Sequence, residues 1–251
     1  MTAFADPDLT RDAFLGGKLH LLQPRQGYRA GLDAVLLAAC VQAEAGQTVL
    51  ELGCGVGAAI LCLNARVPGL TLTGVEVLPE NAALAERNGG DALEVVTADL
   101  ADLPLHVRQR QFDHVLANPP YFDRTASISS GDPLRESAHG EHTPLHKWVQ
   151  IAGKRLAPKG RVYFIHRAER LPDLNRALPA DLGSVEVLPL APRVGRAPEM
   201  IILRARKNGR GAFRLLNTFV MHQGVSHGED GEDTYVPELR AVLRDGAALE
   251  F

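Results

Sequence analysis

Seven residues, Glu51 to Gly57 with the sequence ELGCGVG, give the strongest indication of how this chain folds. They follow a short apolar run at 48–52 and precede a helical pattern at 57–66, which predicts a turn between a strand and a helix. Glycines in such a turn let the backbone approach a ligand closely. The spacing is GxGxG instead of the GxGxxG of dinucleotide-binding turns, and Glu51 would repel a phosphate. The turn therefore predicts a site for a ligand that carries a cationic group, such as an ammonium.

Strands and helices of about ten residues alternate on both sides of this turn, which predicts an α/β fold with a doubly wound sheet. We expect seven strands, mostly parallel, with an antiparallel last pair because only APRVGRAP separates its members. We interpret the chain as a single domain with an N-terminal extension (1–44), a core (45–206) and a C-terminal extension (207–251). The predicted strands are 48–52, 71–76, 93–97, 112–117, 161–165, 184–190 and 199–206, and the predicted helices are 57–66, 79–88, 145–156 and 168–178.

Bulk composition narrows the class of protein. The chain has 251 residues, of which 45% are hydrophobic, enough for one large core. No apolar run approaches 18 residues and the first residues lack a secretory pattern, so we expect neither a membrane span nor a signal peptide. Cys40, Cys54 and Cys62 form no CxxC pair. They predict reduced, buried thiols in a cytoplasmic protein, and no metal site.

Charge is unevenly distributed along the chain. The net charge is −3, yet residues 151–214 contain 14 Lys and Arg against five Asp and Glu. A surface that binds a polyanion would explain this stretch, and so would a basic face that only contacts solvent.

Two acidic residues stand where strands of the predicted sheet end. Glu76 closes the second strand, where a carboxylate can accept both hydroxyls of a ribose. Asp99 and Leu100 follow the third strand, in position to meet an adenine ring. Either acid alone could be structural. A ribose, an adenine and a cation without a phosphate together describe S-adenosylmethionine, which we predict as the cofactor.

ELGCGVG, Glu76 and Asp99 resemble the class I S-adenosylmethionine-dependent methyltransferases, over about residues 45–206. The resemblance implies their Rossmann-like fold. It also implies that Gly53, Gly55 and Gly57 pass close to the methionine part of the cofactor, and that Glu76 holds its ribose.

The sequence ANPPYF at 117–122 ends the fourth strand with two prolines, which donate no backbone hydrogen bond. In the class I fold this strand ends beside the methyl group, and NPPY there resembles the signature of methyltransferases that act on a planar exocyclic NH₂. The amide oxygen of Asn118 and the carbonyl of Pro119 would accept its two N–H bonds, and charge on nitrogen would be stabilised. Pro120 adds rigidity, and Tyr121 offers a face for stacking a base. The alternative is a proline-rich turn that caps a strand.

Adenine N6, cytosine N4 and a glutamine amide all present such an amine, and the motif does not separate them. Few residues precede the glycine turn, which leaves no room for the helical domain of glutamine methyltransferases of release factors. No target-recognition domain for DNA is visible either. The basic stretch favours a large folded RNA.

The chain also resembles a narrower family, the bacterial tRNA(Val) adenine-N6 methyltransferases. The matching segments are LGGK at 15–18, QP at 23–24, GYRAGLDAVLL at 27–37, the cofactor motif and NPPYF. The resemblance implies that 27–33 closes over the methionine end of the cofactor. Arg29 and Asp33 are the candidates for its carboxylate and ammonium, with local packing as the alternative.

Residues 123–147 show no clear periodicity, and we interpret them as a flap that orders on substrate. Phe122 would contact the substrate, and Arg124 would lie near its phosphates. His139, His142 and His146 suggest a metal site, but neither the fold nor the chemistry calls for a metal. Trp148 is expected in the core or as an anchor of the flap, and the acidic segment 227–235 as a surface turn.

We therefore predict an S-adenosylmethionine-dependent N6-adenine methyltransferase whose partner is RNA, most simply tRNA, with no membrane. The alternatives are a protein-glutamine methyltransferase, a small-molecule N-methyltransferase and a catalytically idle RNA-binding protein on the same fold. The oligomeric state, monomer or homodimer, is left open by the sequence.

Overall fold

A nine-stranded sheet organises the chain in the computed structural model, which describes residues 4–121, 143–224 and 234–251. Its strands, with a separate N-terminal hairpin formed by the first two, are β1 (Leu9–Phe14), β2 (Leu19–Pro24), β3 (Thr48–Leu52), β4 (Thr71–Glu76), β5 (Leu93–Thr97), β6 (Phe112–Ala117), β7 (Leu156–Arg167), β8 (Leu182–Ala191), β9 (Met200–Lys207), β10 (Arg214–Leu215) and β11 (Phe219–Val220). The helices are α1 (Leu32–Cys40), α2 (Ala58–Arg66), α3 (Pro79–Gly89), α4 (Leu105–Arg108), α5 (Leu145–Arg155), α6 (Leu171–Ala177) and α7 (Pro237–Asp245).

The order of strands in the main sheet is β10-β8-β9-β7-β6-β3-β4-β5, and β11 also pairs with β8. Strands β5, β4, β3, β6 and β7 are parallel neighbours, whereas β9 is antiparallel to both β7 and β8. The seven predicted strands and the antiparallel last pair are confirmed. The two-residue strands β10 and β11 were not predicted. Because β3 leads to β4 on one side and pairs with β6 on the other, the topology reverses between β3 and β6, where α/β proteins place ligands.

Local sequence explains most element boundaries. Helix α2 begins after Gly57, whose φ of 85° suits glycine, and α3 begins at Pro79, whose ring favours the first helical turn. Strand β7 begins five residues earlier than predicted, because Leu156 already pairs with Phe112 of β6. The register then shifts between Phe112 and His114, because the next paired residue is Arg161. The APKG segment at 157–160 is therefore part of the strand.

Helices cover both faces of the sheet, so its central strands are apolar on both sides. Val49 of β3 packs into one buried cluster with α1, α2 and α7. Leu50 and Leu52 point the other way, into a second cluster with α5 and α6. The two clusters hold the strand ends in place. No helix among the described residues is long and apolar enough to cross a membrane.

The N-terminal hairpin β1–β2 was not predicted, and it packs beside the glycine turn. The side chain of Asn88 in α3 accepts from the backbone N–H of Leu22 at 2.7 Å and donates to its carbonyl at 3.0 Å. The same amide nitrogen donates to the carbonyl of Val56 at 2.9 Å. Asn88 therefore ties the hairpin to the glycine turn and sets where residues 25–33 cross the sheet edge.

Candidate active site

A cavity of about 430 Å³ opens at the carboxyl ends of β3, β4, β5 and β6. Its volume lies in the range typical of sites for small molecules. Ten residues predicted from the sequence line it together: Glu51, Gly53, Gly55, Glu76, Asp99, Leu100, Asn118, Pro119, Pro120 and Tyr121. Gly57 is not part of the cavity wall and precedes the first residue of α2.

The glycine turn forms the floor of the cavity. Gly53 and Gly55 have φ values of 65° and 55°, in the left-handed region that favours glycine. A Cβ on Gly53 would lie 2.5 Å from the indole ring of Trp148. That indole is buried, lines the cavity, and donates its N–H to the carbonyl of Thr143 at 3.0 Å. Gly53 is therefore required both by the backbone conformation and by the close approach of Trp148.

Glu51 is a buried carboxyl group in the cavity wall. One of its oxygens accepts from the backbone N–H of Ile60, in the first turn of α2, at 3.0 Å. The pKa of Glu51 is raised to about 8, chiefly by burial. The bond from Ile60 partly opposes this rise, and the nearby Glu76 carboxylate adds to it. The group is poised to lose its proton when a cation approaches.

Glu76 is held by the backbone at the end of β4. Its two oxygens accept from the N–H of Gly55 at 2.8 Å and from that of Leu78 at 2.9 Å. Burial raises the pKa of Glu76, and these backbone hydrogen bonds oppose the rise. A third backbone N–H, that of Val77, also acts on the carboxylate. The fixed carboxylate has about four lone-pair positions, so it keeps acceptor capacity for a hydroxyl. Asp99 follows the neighbouring strand β5, where the N–H of Ala98 donates to the carbonyl of Glu76 at 2.9 Å. Asp99 caps the short turn that follows it by accepting from Ala101 N–H at 2.8 Å.

The Asn118–Tyr121 segment forms the side of the cavity next to β6. The amide oxygen of Asn118 is buried and has no hydrogen-bond partner among the described residues, whereas its nitrogen donates to the hydroxyl of Tyr28 at 3.4 Å. The hydroxyl of Tyr121 donates to Asp33 at 2.5 Å. Tyr28 was not singled out in the sequence, although it stands in the segment that resembles the narrower family.

His166 was also missed. It is fully buried in β7 and its ring lies 5.4 Å from that of Tyr121, centroid to centroid, at 60°. The pKa of His166 is lowered to about 4, chiefly by burial and also by the neighbouring Arg170. The imidazole is therefore neutral near pH 7 and supports the tyrosine ring from behind. The signal available in the sequence was a histidine directly after the apolar strand residues VYFI at 162–165.

Other predicted residues lie elsewhere. The guanidinium of Arg29 is 2.5 Å from Asp12 and 3.2 Å from the carbonyl of Pro24, and Arg29 is not part of the cavity wall. Asp33 is not part of the cavity wall either, and it contacts that wall through the hydroxyl of Tyr121. Phe122 and Arg124 lie outside the described residues.

The metal and thiol predictions can be compared with the structure in part. No group of three His, Cys, Asp or Glu that could hold a metal occurs within residues 4–121, 143–224 and 234–251. His139 and His142 lie outside these ranges. Cys40, Cys54 and Cys62 are buried and unpaired, as predicted.

Comparison with known proteins adds to this geometry. The family model described as "Methyltransferase small domain" matches residues 30–191. The chain belongs to this family. Its fold is shared with solved methyltransferases: a "predicted O-methyltransferase" from Agrobacterium tumefaciens has a TM-score of 0.69 and 22% identity, over 87% of this chain and 99% of that one. A methyltransferase from Pyrococcus furiosus has a TM-score of 0.54 and 20% identity, over 76% and 90%.

Curated relatives of this methyltransferase are named tRNA1(Val) (adenine(37)-N6)-methyltransferase. One from Porphyromonas gingivalis is 31% identical over 179 residues, which span 64% of this chain and 69% of that protein. One from Yersinia enterocolitica is 24% identical over 95% of this chain and 94% of that protein.

S-adenosylmethionine is the methyl donor of this methyltransferase. The cavity fits it, because a carboxylate fixed by two backbone N–H groups suits a ribose and a buried carboxyl suits an ammonium. When bound, the donor supplies an electrophilic methyl group on a positively charged sulfur.

Proposed function

We propose that this methyltransferase modifies the exocyclic N6 amine of an adenine in RNA, and that the RNA is a tRNA. The names of its relatives support this substrate. The observation that carries the proposal is the buried, unpartnered amide oxygen of Asn118 in the cavity wall. A buried acceptor without a donor is costly, and an N–H of the target amine would satisfy it.

The residues of the NPPY segment explain how a poor nucleophile reacts. The lone pair of adenine N6 is delocalised into the ring. Acceptors at the two N–H bonds, the side-chain oxygen of Asn118 and the carbonyl of Pro119, would draw nitrogen toward tetrahedral geometry and direct its lone pair at the methyl group. Both acceptors also stabilise the positive charge that develops on nitrogen. The methylated nitrogen is then acidic enough to lose a proton to water.

The remaining residues bind and position. Glu76 would accept the ribose hydroxyls, Glu51 would meet the ammonium, and Asp99 with Leu100 would contact the adenine of the donor. Tyr121 would stack on the target base, an interaction worth ~1–3 kcal/mol. The base must be unpaired or flipped out to enter. A tRNA substrate would place the enzyme in the cytoplasm, where reduced thiols persist.

The basic stretch contributes to RNA binding only in part. Arg204 is buried, donates to Glu186 at 2.9 Å and lies over the ring of Phe251 at 4.4 Å, so its role is structural. Arg206 lies opposite Arg161 where β9 pairs with β7, and Arg161 lies opposite His114 of β6. Four residues along β6 separate His114 from Asn118 in the cavity wall, about 13 Å. These basic residues would contact the body of a large RNA and not the target base.

A tritiated-methyl transfer assay tests the function. Purified enzyme is incubated with total tRNA and, separately, with a lysate stripped of RNA. We expect label in tRNA, recovered as N6-methyladenosine. Label confined to protein glutamine would reject the proposal in favour of the protein-methyltransferase alternative.

The variant Asn118→Ala tests the mechanism. It should lower transfer at least ~100-fold, because a preorganised acceptor is lost, while binding of S-adenosylhomocysteine stays within about threefold. Near-normal turnover would show that Asn118 does not have the proposed role.

A further inference from the structure

Four polar side chains connect the N-terminal extension to the Asn118–Tyr121 segment. Asp33 lies in the first turn of α1 and accepts the hydroxyl hydrogen of Tyr121 at 2.5 Å. The nitrogen of the Asn118 amide donates to the hydroxyl of Tyr28 at 3.4 Å. The Asn118 amide also lowers the pKa of Tyr121, as a donor near that phenolic oxygen does. The amide nitrogen therefore contacts a phenolic oxygen, and the buried amide oxygen has no hydrogen-bond partner among the described residues.

The orientation of this amide matters because its two ends have nearly the same shape and opposite chemistry. The target amine also presents N–H bonds, so only the oxygen of Asn118 can serve it. An amide turned by 180° would direct its own N–H bonds at the amine. Some neighbour must therefore distinguish the two ends of Asn118.

The hydroxyl of Tyr121 makes that distinction, because its hydrogen is already donated to Asp33. Its oxygen can then only accept, so it favours the nitrogen end of Asn118 as its neighbour. Burial raises the pKa of Tyr121 and the charge of Asp33 raises it further, so the phenol stays protonated. Burial likewise raises the pKa of Tyr28 to about 12.

We propose that Asp33 and Tyr28 are positioning residues for methyl transfer, which orient the Asn118 amide so that its oxygen faces the target amine. The inference rests on the proposed acceptor role of Asn118. In this inference the partner of Asp33 is Tyr121, whereas the sequence had suggested the ammonium of the donor. The carboxylate acts through Tyr121 and does not line the cavity.

Three variants test the two residues. Tyr28→Phe removes one acceptor for the amide nitrogen, and Asp33→Ala frees the hydroxyl of Tyr121 to donate to the oxygen of Asn118. Each should lower kcat about 10-fold or more, with KM for tRNA and Kd for S-adenosylhomocysteine within threefold. Asp33→Asn should restore most of kcat, because its amide oxygen still accepts from Tyr121.

Tyr163→Phe is the matched control. It also removes a buried tyrosine hydroxyl that contacts the N-terminal region, since that oxygen accepts from the N–H of Gln42 at 3.3 Å. Tyr163 is not part of the cavity wall. Its variant should leave kcat unchanged.

A spectroscopic readout makes the test independent of catalysis. The side-chain amide signal of Asn118 in ¹⁵N–¹H spectra is assigned by its loss in Asn118→Ala. It should shift in Tyr28→Phe and Asp33→Ala, and stay in place in Tyr163→Phe. Unmoved signals with unchanged kcat would overturn the inference. So would an equal tenfold loss of S-adenosylhomocysteine affinity in Asp33→Ala and Asp33→Asn, because that result would make Asp33 a charged ligand of the donor.

Failure of the proposed function would look different. Wild-type enzyme would then label glutamine and leave adenine unmodified, while the Asn118 signal would still report on the orienting contacts.

Discussion

Proton release on cofactor binding is the prediction that follows most directly from the cavity wall. Glu51 is buried with a pKa raised to about 8 by that burial, so the free enzyme carries it mostly protonated at pH 6 to 7. If Glu51 contacts the ammonium of the donor, only the enzyme with an ionised Glu51 carboxylate binds the donor well. Cofactor affinity should therefore rise with pH in this window.

The magnitude follows from the pKa of Glu51. With a pKa of about 8, about 1% of the carboxyl is ionised at pH 6 and about half at pH 8. Affinity for S-adenosylhomocysteine, which carries the same ammonium, should then increase up to about 50-fold between these two pH values. Glu51→Gln should show the weak affinity at every pH.

Calorimetry measures both the affinity and the proton. Titrations at pH 6, 7 and 8 in buffers of different ionisation enthalpy should count close to one proton released at pH 6 to 7 by the wild type, and none by Glu51→Gln. Glu86→Gln, an exposed change on α3, is the control and should match the wild type.

The same group affects the stability of the free enzyme. Its folded pKa is raised from the ordinary 4.5 to about 8, so the folded state holds the proton more tightly than the unfolded state does. The free energy of unfolding should fall by about 4 kcal/mol from pH 4.5 to pH 8 on this account, and Glu51→Gln should remove that fall. A wild-type affinity that is flat from pH 6 to 8, with no proton released, would refute the reasoning.

Three further predictions concern packing, acid stability and RNA binding. Gly53→Ala places a Cβ on a left-handed backbone and 2.5 Å from the indole, so the free energy of unfolding from urea titration should fall by about 2–4 kcal/mol. Gly17→Ala is the control and should cost less, because its Cβ would meet nothing within 4 Å. The pKa of His166 is lowered, chiefly by burial, from 6.5 to about 4, so the free energy of unfolding should decline as pH falls through this range, by about 2 kcal/mol at pH 5. Urea titrations at about pH 5 and about pH 7.5 should show that His166→Gln removes this decline. Arg204→Leu should cost about 3 kcal/mol of unfolding free energy and leave the salt dependence of tRNA binding unchanged, whereas Arg210→Glu, at an exposed position, should flatten that dependence without changing stability.

Each of these three has a contrary outcome. Equal losses for the two glycine variants would remove the indole contact as a cause. A His166→Gln enzyme with the acid sensitivity of the wild type would assign that sensitivity to other groups. A salt slope that changes with Arg204→Leu and not with Arg210→Glu would reverse the roles given to the two arginines.

The central sheet and the cavity could be predicted because their signals are local. Apolar runs between turns mark the strands, and parallel strands bring their carboxyl ends to one edge. Glu51, Glu76 and Asn118 therefore meet in the cavity as expected. The N-terminal hairpin could not be predicted in this way, because its attachment depends on Asn88, 66 residues from Leu22 along the chain.

The sequence did not reveal which side chain each charged residue pairs with. Arg29 and Asp33 are near neighbours in the chain, yet one pairs with Asp12 and the other with Tyr121. Likewise, counting charge along residues 151–214 could not show that Arg204 is buried. A charged side chain takes whichever partner the fold brings near, and that partner is distant in sequence.

Trp148 has a practical consequence for studying this enzyme. It is the single tryptophan of the chain, and its buried indole both touches the glycine turn and lines the cavity. Its fluorescence therefore comes from one known position, in the wall of the cavity proposed for the donor. Ligand entry should change the emission of that one ring, so the enzyme carries an intrinsic optical probe of its own occupancy and needs no attached dye.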